Sequence, residues 1–129
     1  MKRFCSLLLI CLLAGLAGCR QEQGVQPVPE TFEVAMLISD KGTMEGNPFH
    51  ELSWLGISRY CGEQGISHTW YEPQARSTAQ YRITIDEAVE RGARVIVLPG
   101  YHFEEVLLEA QDAHPGVSFV LLDGVPNNG

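Results

Sequence analysis

The chain has 129 residues, which allows one domain at most. Its 9 Lys and Arg residues stand against 16 Asp and Glu residues, so the formal net charge is −7. An acidic balance of this size argues against nucleic acid or an anionic lipid surface as a partner, because both are themselves negatively charged.

The first nineteen residues, MKRFCSLLLICLLAGLAGC, have the pattern of a secretory signal, with a basic start, an apolar run and small residues at the end. The run is shorter than the roughly 20 apolar residues that a membrane-spanning helix needs. The closing LAGC resembles the lipobox of bacterial lipoproteins, which implies cleavage before Cys19 and acylation of that cysteine. We therefore expect a lipid-anchored protein on the periplasmic or extracellular face of the cell membrane or of an outer membrane. The alternative is an ordinary signal peptide with a chance cysteine.

The segment after the signal is predicted to begin with a polar tether and to keep one cysteine in its folded part. Residues 20–30, RQEQGVQPVPE, are polar with two prolines and are typical of a flexible linker. Cys5 and Cys11 leave with the signal and Cys19 would carry lipid, so Cys61 has no partner for an internal disulfide. Cys61 falls inside a predicted helix, and we expect it to be a small buried apolar residue.

The folded part opens with a predicted strand and a predicted helix. Residues 32–38, FEVAMLI, are mostly apolar, as in a strand buried on both faces. A helix is predicted from Pro48 to about Glu63, with Asn47 as its N-cap and Gly65 as its end. The predicted apolar stripe of this helix consists of Leu52, Leu55, Ile57 and Tyr60.

The following segments continue the alternation of strands and helices. Residues 66–71 predict a strand at a sheet edge, and residues 77–80, STAQ, have the spacing of a capping box that opens a helix to about Arg91. Residues 94–100, 102–114 and 117–124 predict a strand, a helix and a strand. The order β-α-β-α-β-α-β indicates an α/β fold, a Rossmann-like parallel sheet with helices on both faces.

Ligands of open α/β sheets bind outside the carboxyl ends of the strands, so the loops that follow the predicted strands are the candidate site. Two acids and several aromatic residues fall there, which suggests an uncharged ligand that is planar or rich in hydroxyl groups. Phosphate would favour glycine and cations at this edge. The candidates are Asp40, Phe49, Tyr101, Phe103 and Asp123.

Two stretches, AMLISDKGTMEGNPFHELSWLGI and STAQYRITIDEAVERGARVIVLPGYHFEEVLLEAQDAHPGVSFVLLDGVP, resemble the amino-terminal part of the basic membrane lipoprotein (BMP) family. The most specific pieces are the Asp-x-Gly-Thr opening, the phenylalanine of the first helix, the Ser-Thr start of the second, VIVLPG and LLDG. Members of that family are substrate-binding lipoproteins of ABC importers, and the characterised ones bind purine nucleosides. The resemblance covers about residues 32–126.

The resemblance implies one lobe of a type I periplasmic-binding-protein fold, in which two Rossmann-like lobes close on a nucleoside. Phe49 would stack on the base, and Asp40 and Asp123 would hold the ribose hydroxyls. Asn47, which we expect mainly to cap the helix, and His50 are further candidate ligand contacts. Family members are much longer than this chain, so we expect residues 31–129 to be a partial first lobe without the second. The chain would then be a fragment or the product of a truncated gene.

The same residues leave other functions open. Around Phe49 the chain has Pro48 and His50 where family members commonly have Ser and Asn. A binding or sensor lipoprotein of the same fold, for a sugar or a signalling molecule, is therefore the alternative. We expect an ABC permease as a partner and no cofactor, and the four histidines lack metal-ligand spacing. An enzyme is disfavoured because no catalytic motif stands out. Trp54 and Trp70 are predicted to be packing residues.

Overall fold

A computed structural model describes residues 31–126 of the chain. The predicted signal, the tether and the lipidation site Cys19 lie outside these residues, as do residues 127–129. The elements are β1 (Val34–Leu37), α1 (Pro48–Gln64), β2 (His68–Tyr71), α2 (Thr78–Glu90), β3 (Val95–Pro99), a 3-10 turn (Tyr101–Phe103), α3 (Glu104–Ala113) and β4 (Ser118–Leu122). The predicted alternation is confirmed. Within residues 31–126, no helix is long and apolar enough to cross a membrane.

The four strands form one parallel sheet in the order β2-β1-β3-β4. The chain leaves β1 toward β2 in one direction and then crosses back to add β3 and β4 on the other side. Right-handed crossovers therefore place α1 on one face of the sheet and α2 and α3 on the other. The fold is thus α/β with helices on both faces, and β2 lies at an edge as predicted.

The larger core lies between the sheet and the pair α2 and α3. Alternate residues of β1 and β3, including Leu37 and Ile96, pack there against apolar side chains of both helices. The rings of Tyr81 and Phe103 are 4.7 Å apart at 48°, a tilted aromatic pair within this core. Phe103 is fully buried, so its predicted place at the ligand-binding edge is wrong. The 3-10 turn directs its ring under α2 and leaves the preceding Tyr101 exposed.

The inward face of α1 differs from the predicted one. Three of the four predicted stripe residues, Leu52, Leu55 and Tyr60, are exposed, and the exposed fraction of Leu52 reaches 67%. The side chains that face the sheet recur instead at spacings of three and four residues: His50, Trp54, Ile57 and Cys61. Two of these are poorly marked by hydropathy, which explains why the sequence pointed to the opposite face.

The helix ends follow local chemistry that the sequence predicts. Asn47 Oδ1 accepts hydrogen bonds from the backbone N–H groups of Phe49 and His50 at 3.1 and 3.4 Å, and Gly65 ends α1 with φ of 69°. Ser77 Oγ accepts from the N–H of Gln80 at 3.3 Å and opens α2. Cys61 is buried with a free thiol, as predicted. Trp54 and Trp70 pack on the α1 face of the sheet.

Candidate functional site

The carboxyl-terminal edge of the sheet gathers the loops that carry the predicted ligand residues. Because all four strands are parallel, the loops after β1, β2, β3 and β4 meet at this one edge. The chain leaves β1 and β3 in opposite directions, and the crevice between such strands is where open α/β sheets bind ligands. Asp40 follows β1, and Tyr101 and His102 follow β3, so these residues border that crevice.

Asp40 stands in a tight turn that its own backbone helps to close. The Asp40 carbonyl accepts hydrogen bonds from Thr43 Oγ1 at 2.6 Å and from the Thr43 N–H at 3.3 Å. Gly42 permits the turn with φ of 71°, and its N–H donates to Glu72 Oε1 at 2.8 Å. The carboxylate of Asp40 is half-buried and lies 3.5 Å from Arg76 Nη1. The turn therefore presents this carboxylate in a defined place.

Phe49 begins the first turn of α1, at the same edge of the sheet. Its side chain is 41% exposed and is not part of the core of the described residues. The ring centroid lies 6.4 Å from that of His50, at 38°. An aromatic face open to solvent at this position is available to stack on a planar ligand.

His50 is 2% exposed and its ring is fixed by the preceding loop. Nδ1 lies 3.1 Å from the Thr43 carbonyl and 3.4 Å from Thr43 Oγ1. A carbonyl only accepts hydrogen bonds, so Nδ1 carries a proton and donates to Thr43. Asn47, by contrast, is half-buried and uses its side-chain oxygen as the cap of α1.

Asp123 follows β4 and does not contact Asp40 directly. Strand β3 lies between β1 and β4, which separates the two loops by about 10 Å across the sheet. The backbone of Asp123 is left-handed, with φ of 55°, and its side chain is exposed. Asp tolerates this conformation better than most residues, and such backbone outliers concentrate at functional sites. A ligand held by both acids would have to span the crevice above β3.

Sequence reasoning missed Arg76 and His102. Arg76 lies in the loop after β2 and its Nη2 is 2.8 Å from both ring nitrogens of His102, which follows β3. With the Asp40 contact, one guanidinium thus joins the loops after β1, β2 and β3. The sequence does place a cation at a carboxyl-terminal strand end, but only the meeting of three loops reveals its partners.

Burial and the charges of this cluster shift the pKa values of two neighbouring rings, Tyr81 and His102. The Tyr81 hydroxyl donates to the Ser39 carbonyl at 2.9 Å; burial raises the pKa of Tyr81, and the nearby charge of Asp40 raises it further. The pKa of His102 is lowered, first by burial and then by the positive charge of Arg76. His102 is therefore biased toward its neutral form beside the guanidinium.

Comparison with known proteins identifies the family of the chain. The model of the family Bmp, described as ABC transporter substrate-binding protein PnrA-like, matches residues 32–129. The chain belongs to the Bmp family. Members of this family are substrate-binding proteins rather than enzymes by description, and the fold seen here is a partial periplasmic-binding-protein domain.

One relative of the chain has a name that states a ligand class. The chain is 23% identical over 126 residues to the ABC transporter nucleoside-binding protein BmpA of Lactococcus lactis subsp. cremoris (strain MG1363). The alignment covers 93% of this chain and 35% of that relative, so the chain spans about a third of the relative's length.

The Bmp-family domain also contains an apolar groove away from the carboxyl-terminal edge. It has a volume of about 460 Å³ and lies between α1 and the start of the strands. Its lining includes Val34, Ile57, Tyr60 and Val95, and none of the predicted ligand residues. A predominantly apolar lining has few groups that would orient a hydroxyl-bearing ligand, so the candidate site remains at the opposite end of the sheet.

Proposed function

We propose that residues 31–129 form part of the first lobe of a substrate-binding lipoprotein that captures purine nucleosides and delivers them to the permease of an ABC importer. The observation that carries the proposal is that one sheet edge carries both the exposed Phe49 ring and the Asp40 carboxylate, which lies 3.5 Å from Arg76. The name of the Lactococcus relative as a nucleoside-binding protein supports the same ligand class.

The chemistry of a nucleoside suits these two groups. A base stacked on an aromatic ring gains about 1–3 kcal/mol, and Phe49 offers such a ring. A shielded carboxylate that accepts a hydroxyl proton gains about 1.5–3 kcal/mol, which is the role we propose for Asp40. Asp123 would accept from a second hydroxyl across the crevice. His50, which is buried, would act indirectly by holding the Thr43 loop that precedes Phe49.

Capture would be completed by a second lobe that closes over the ligand. Substrate-binding proteins of this architecture close by hinge motion, which removes water from the bound ligand. Because the chain spans about a third of its relative's length, the proposed ligand contacts are those of the first lobe alone. We expect the isolated 129-residue chain to bind nucleosides far more weakly than the full-length protein.

The membrane anchor is a separate part of the proposal. Residues 1–19 would be a lipoprotein signal, Cys19 the acylated residue and residues 20–30 the tether to the domain. Labelling cells with radioactive palmitate should mark the wild-type protein and not the Cys19→Ser variant. Label on both forms would contradict an anchor at Cys19.

Calorimetry on the full-length protein tests the ligand class. Adenosine, guanosine and inosine are titrated in parallel with ribose and galactose as controls for a sugar-binding function. We expect heat and saturation for at least one nucleoside and none for the free sugars. Binding of a sugar without any nucleoside would favour the alternative of a sugar-binding protein, for which Pro48 and His50 are the motivating residues.

A further inference from the structure

Arg76 is the hub of a small polar cluster at the crevice. Its Nη1 lies 3.5 Å from Asp40 Oδ2, and its Nη2 lies 2.8 Å from both ring nitrogens of His102. The Arg76 side chain is half-exposed and that of Asp40 about one-third exposed, so ligand and solvent can reach the pair. Asp40 is otherwise held through its backbone, which leaves Arg76 to orient the carboxylate.

The contact between Arg76 and His102 sets a condition on the protonation of His102. An arginine side chain has only hydrogen-bond donors, and a protonated imidazolium has only donors as well. A neutral imidazole has one unprotonated nitrogen, so only one of the two contacts can be a hydrogen bond in which His102 accepts from Nη2, and an imidazolium can form neither. Protonation of His102 would place two positive groups against each other.

We propose that Arg76 is a positioning residue for the Asp40 carboxylate, and that it keeps this place only while His102 is neutral, so that acid weakens ligand capture. The inference rests on the proposed function in that Asp40 is taken as a ligand group. It assigns to Arg76 and His102 a role in affinity although neither needs to touch the ligand.

The charged and titratable groups around His102 support the direction of the effect. Arg76 from the loop after β2 and His50 from α1 both lower its pKa, after burial, while Asp40 from the loop after β1 raises it. Tyr101 of the same turn packs on the ring, with centroids 3.9 Å apart. Since the net shift is downward from a usual value of about 6.5, the folded state binds fewer protons than the unfolded chain. The contribution of His102 to folding stability is therefore fully present above about pH 6.5 and is lost as the pH falls below that value.

Calorimetry at about pH 7.5 and about pH 5.5 tests the inference on the full-length protein, with adenosine, guanosine and inosine as probes. We expect wild-type affinity to fall several-fold in acid. Arg76→Gln should lower affinity at the higher pH by about tenfold, and Arg76→Lys should recover part of it. His102→Gln, which retains an acceptor that does not titrate, should flatten the pH dependence. Arg82→Gln, which removes an exposed arginine of α2, is the matched control and should behave as the wild type.

Two outcomes of the titrations overturn the inference. Wild-type or higher affinity in Arg76→Gln would mean that Arg76 does not position Asp40 or that it competes with the ligand for the carboxylate. An unchanged pH dependence in His102→Gln would mean that another group senses acid.

Ring titration by NMR separates this inference from the proposed function. If no nucleoside binds at either pH, the proposed function fails. The pKa of His102 still decides the coupling, because it should rise in Arg76→Gln and stay unchanged in Arg82→Gln. A His102 pKa that is the same in the wild type and in Arg76→Gln would overturn the inference whatever the ligand result.

Discussion

Phe49 is the residue on which the proposed ligand class depends most directly. Its ring is 41% exposed, so Phe49→Ala should remove a stacking surface without opening a cavity. We expect nucleoside affinity of the full-length protein to fall roughly five- to 150-fold, the equivalent of about 1–3 kcal/mol of lost stacking, with little change in stability. Calorimetry measures the first and thermal unfolding the second.

Leu52→Ala is the matched control for Phe49→Ala, because Leu52 is an exposed apolar residue one turn further along the same helix. It should leave nucleoside affinity at the wild-type level. Equal losses in the two variants would mean that the exposed surface of α1 affects binding in general and that Phe49 has no special contact.

Phe103 is an aromatic residue that the sequence places at the candidate site, as it does Phe49, but its ring belongs to the core. Its ring is fully buried against Tyr81, so Phe103→Ala should destabilise the domain by about 3–5 kcal/mol. Urea unfolding followed by circular dichroism measures the change, with Phe49→Ala as the exposed counterpart. A Phe103→Ala variant as stable as Phe49→Ala would contradict the placement of this ring in the core.

Among the secondary-structure elements, the start of α1 contributes both to the stability of the fold and to the candidate site. Asn47→Ala removes the acceptor of two backbone N–H groups and should lower the free energy of unfolding by about 1 kcal/mol. Because Phe49 and His50 are the residues whose N–H groups it holds, affinity should fall as well. Gly65→Ala, which strains the left-handed residue at the far end of α1, should cost similar stability and spare affinity. A loss of affinity as large in Gly65→Ala would indicate general unfolding instead.

The strands, the helix ends and their order could be predicted because each depends on neighbouring residues. Asn47, Gly65 and Ser77 act within one turn, and the apolar strands repeat a simple pattern. The inward face of α1 could not be predicted, since it is decided by packing on Met36 and Ile38 of another segment. Helix α1 has two possible apolar stripes, and most residues of the predicted stripe are exposed to solvent.

Part of the candidate site could also be predicted from the sequence, because the position of strand ends follows from the topology of the sheet. The place of Asp40 and Asp123 at the carboxyl-terminal edge could be predicted because the strand ends of a parallel sheet share an edge. The contact of Arg76 with His102 depends on side-chain geometry across two loops, and no local pattern predicts it. The burial of Phe103 could not be predicted because the 3-10 turn decides whether Tyr101 or Phe103 enters the core.

At the scale of the whole molecule, the sheet ends on β4, which pairs only with β3 among the described residues. Val120 of β4 is 40% exposed on the face that α1 covers only in part. A hydrophobic edge strand promotes pairing between copies, and a lysine there opposes it. We therefore expect Val120→Lys to reduce concentration-dependent self-association of the 129-residue chain, as measured by analytical ultracentrifugation.

Val125→Lys provides the control for charge alone. Val125 is 72% exposed and lies beyond the strand, so a lysine there adds the same charge without altering the edge. If Val125→Lys reduced association as much as Val120→Lys, net charge and not the strand edge would govern self-association.

Chemical-shift mapping with a nucleoside tests whether the carboxyl-terminal edge of the sheet is the binding surface. Backbone amide spectra of the full-length protein are recorded during titration with adenosine, guanosine and inosine. We expect that, within residues 31–126, the largest shifts cluster at Asp40, Phe49, His50 and Asp123. Shifts centred on the apolar groove of Val34, Ile57 and Val95, or none with any of the three nucleosides, would contradict it.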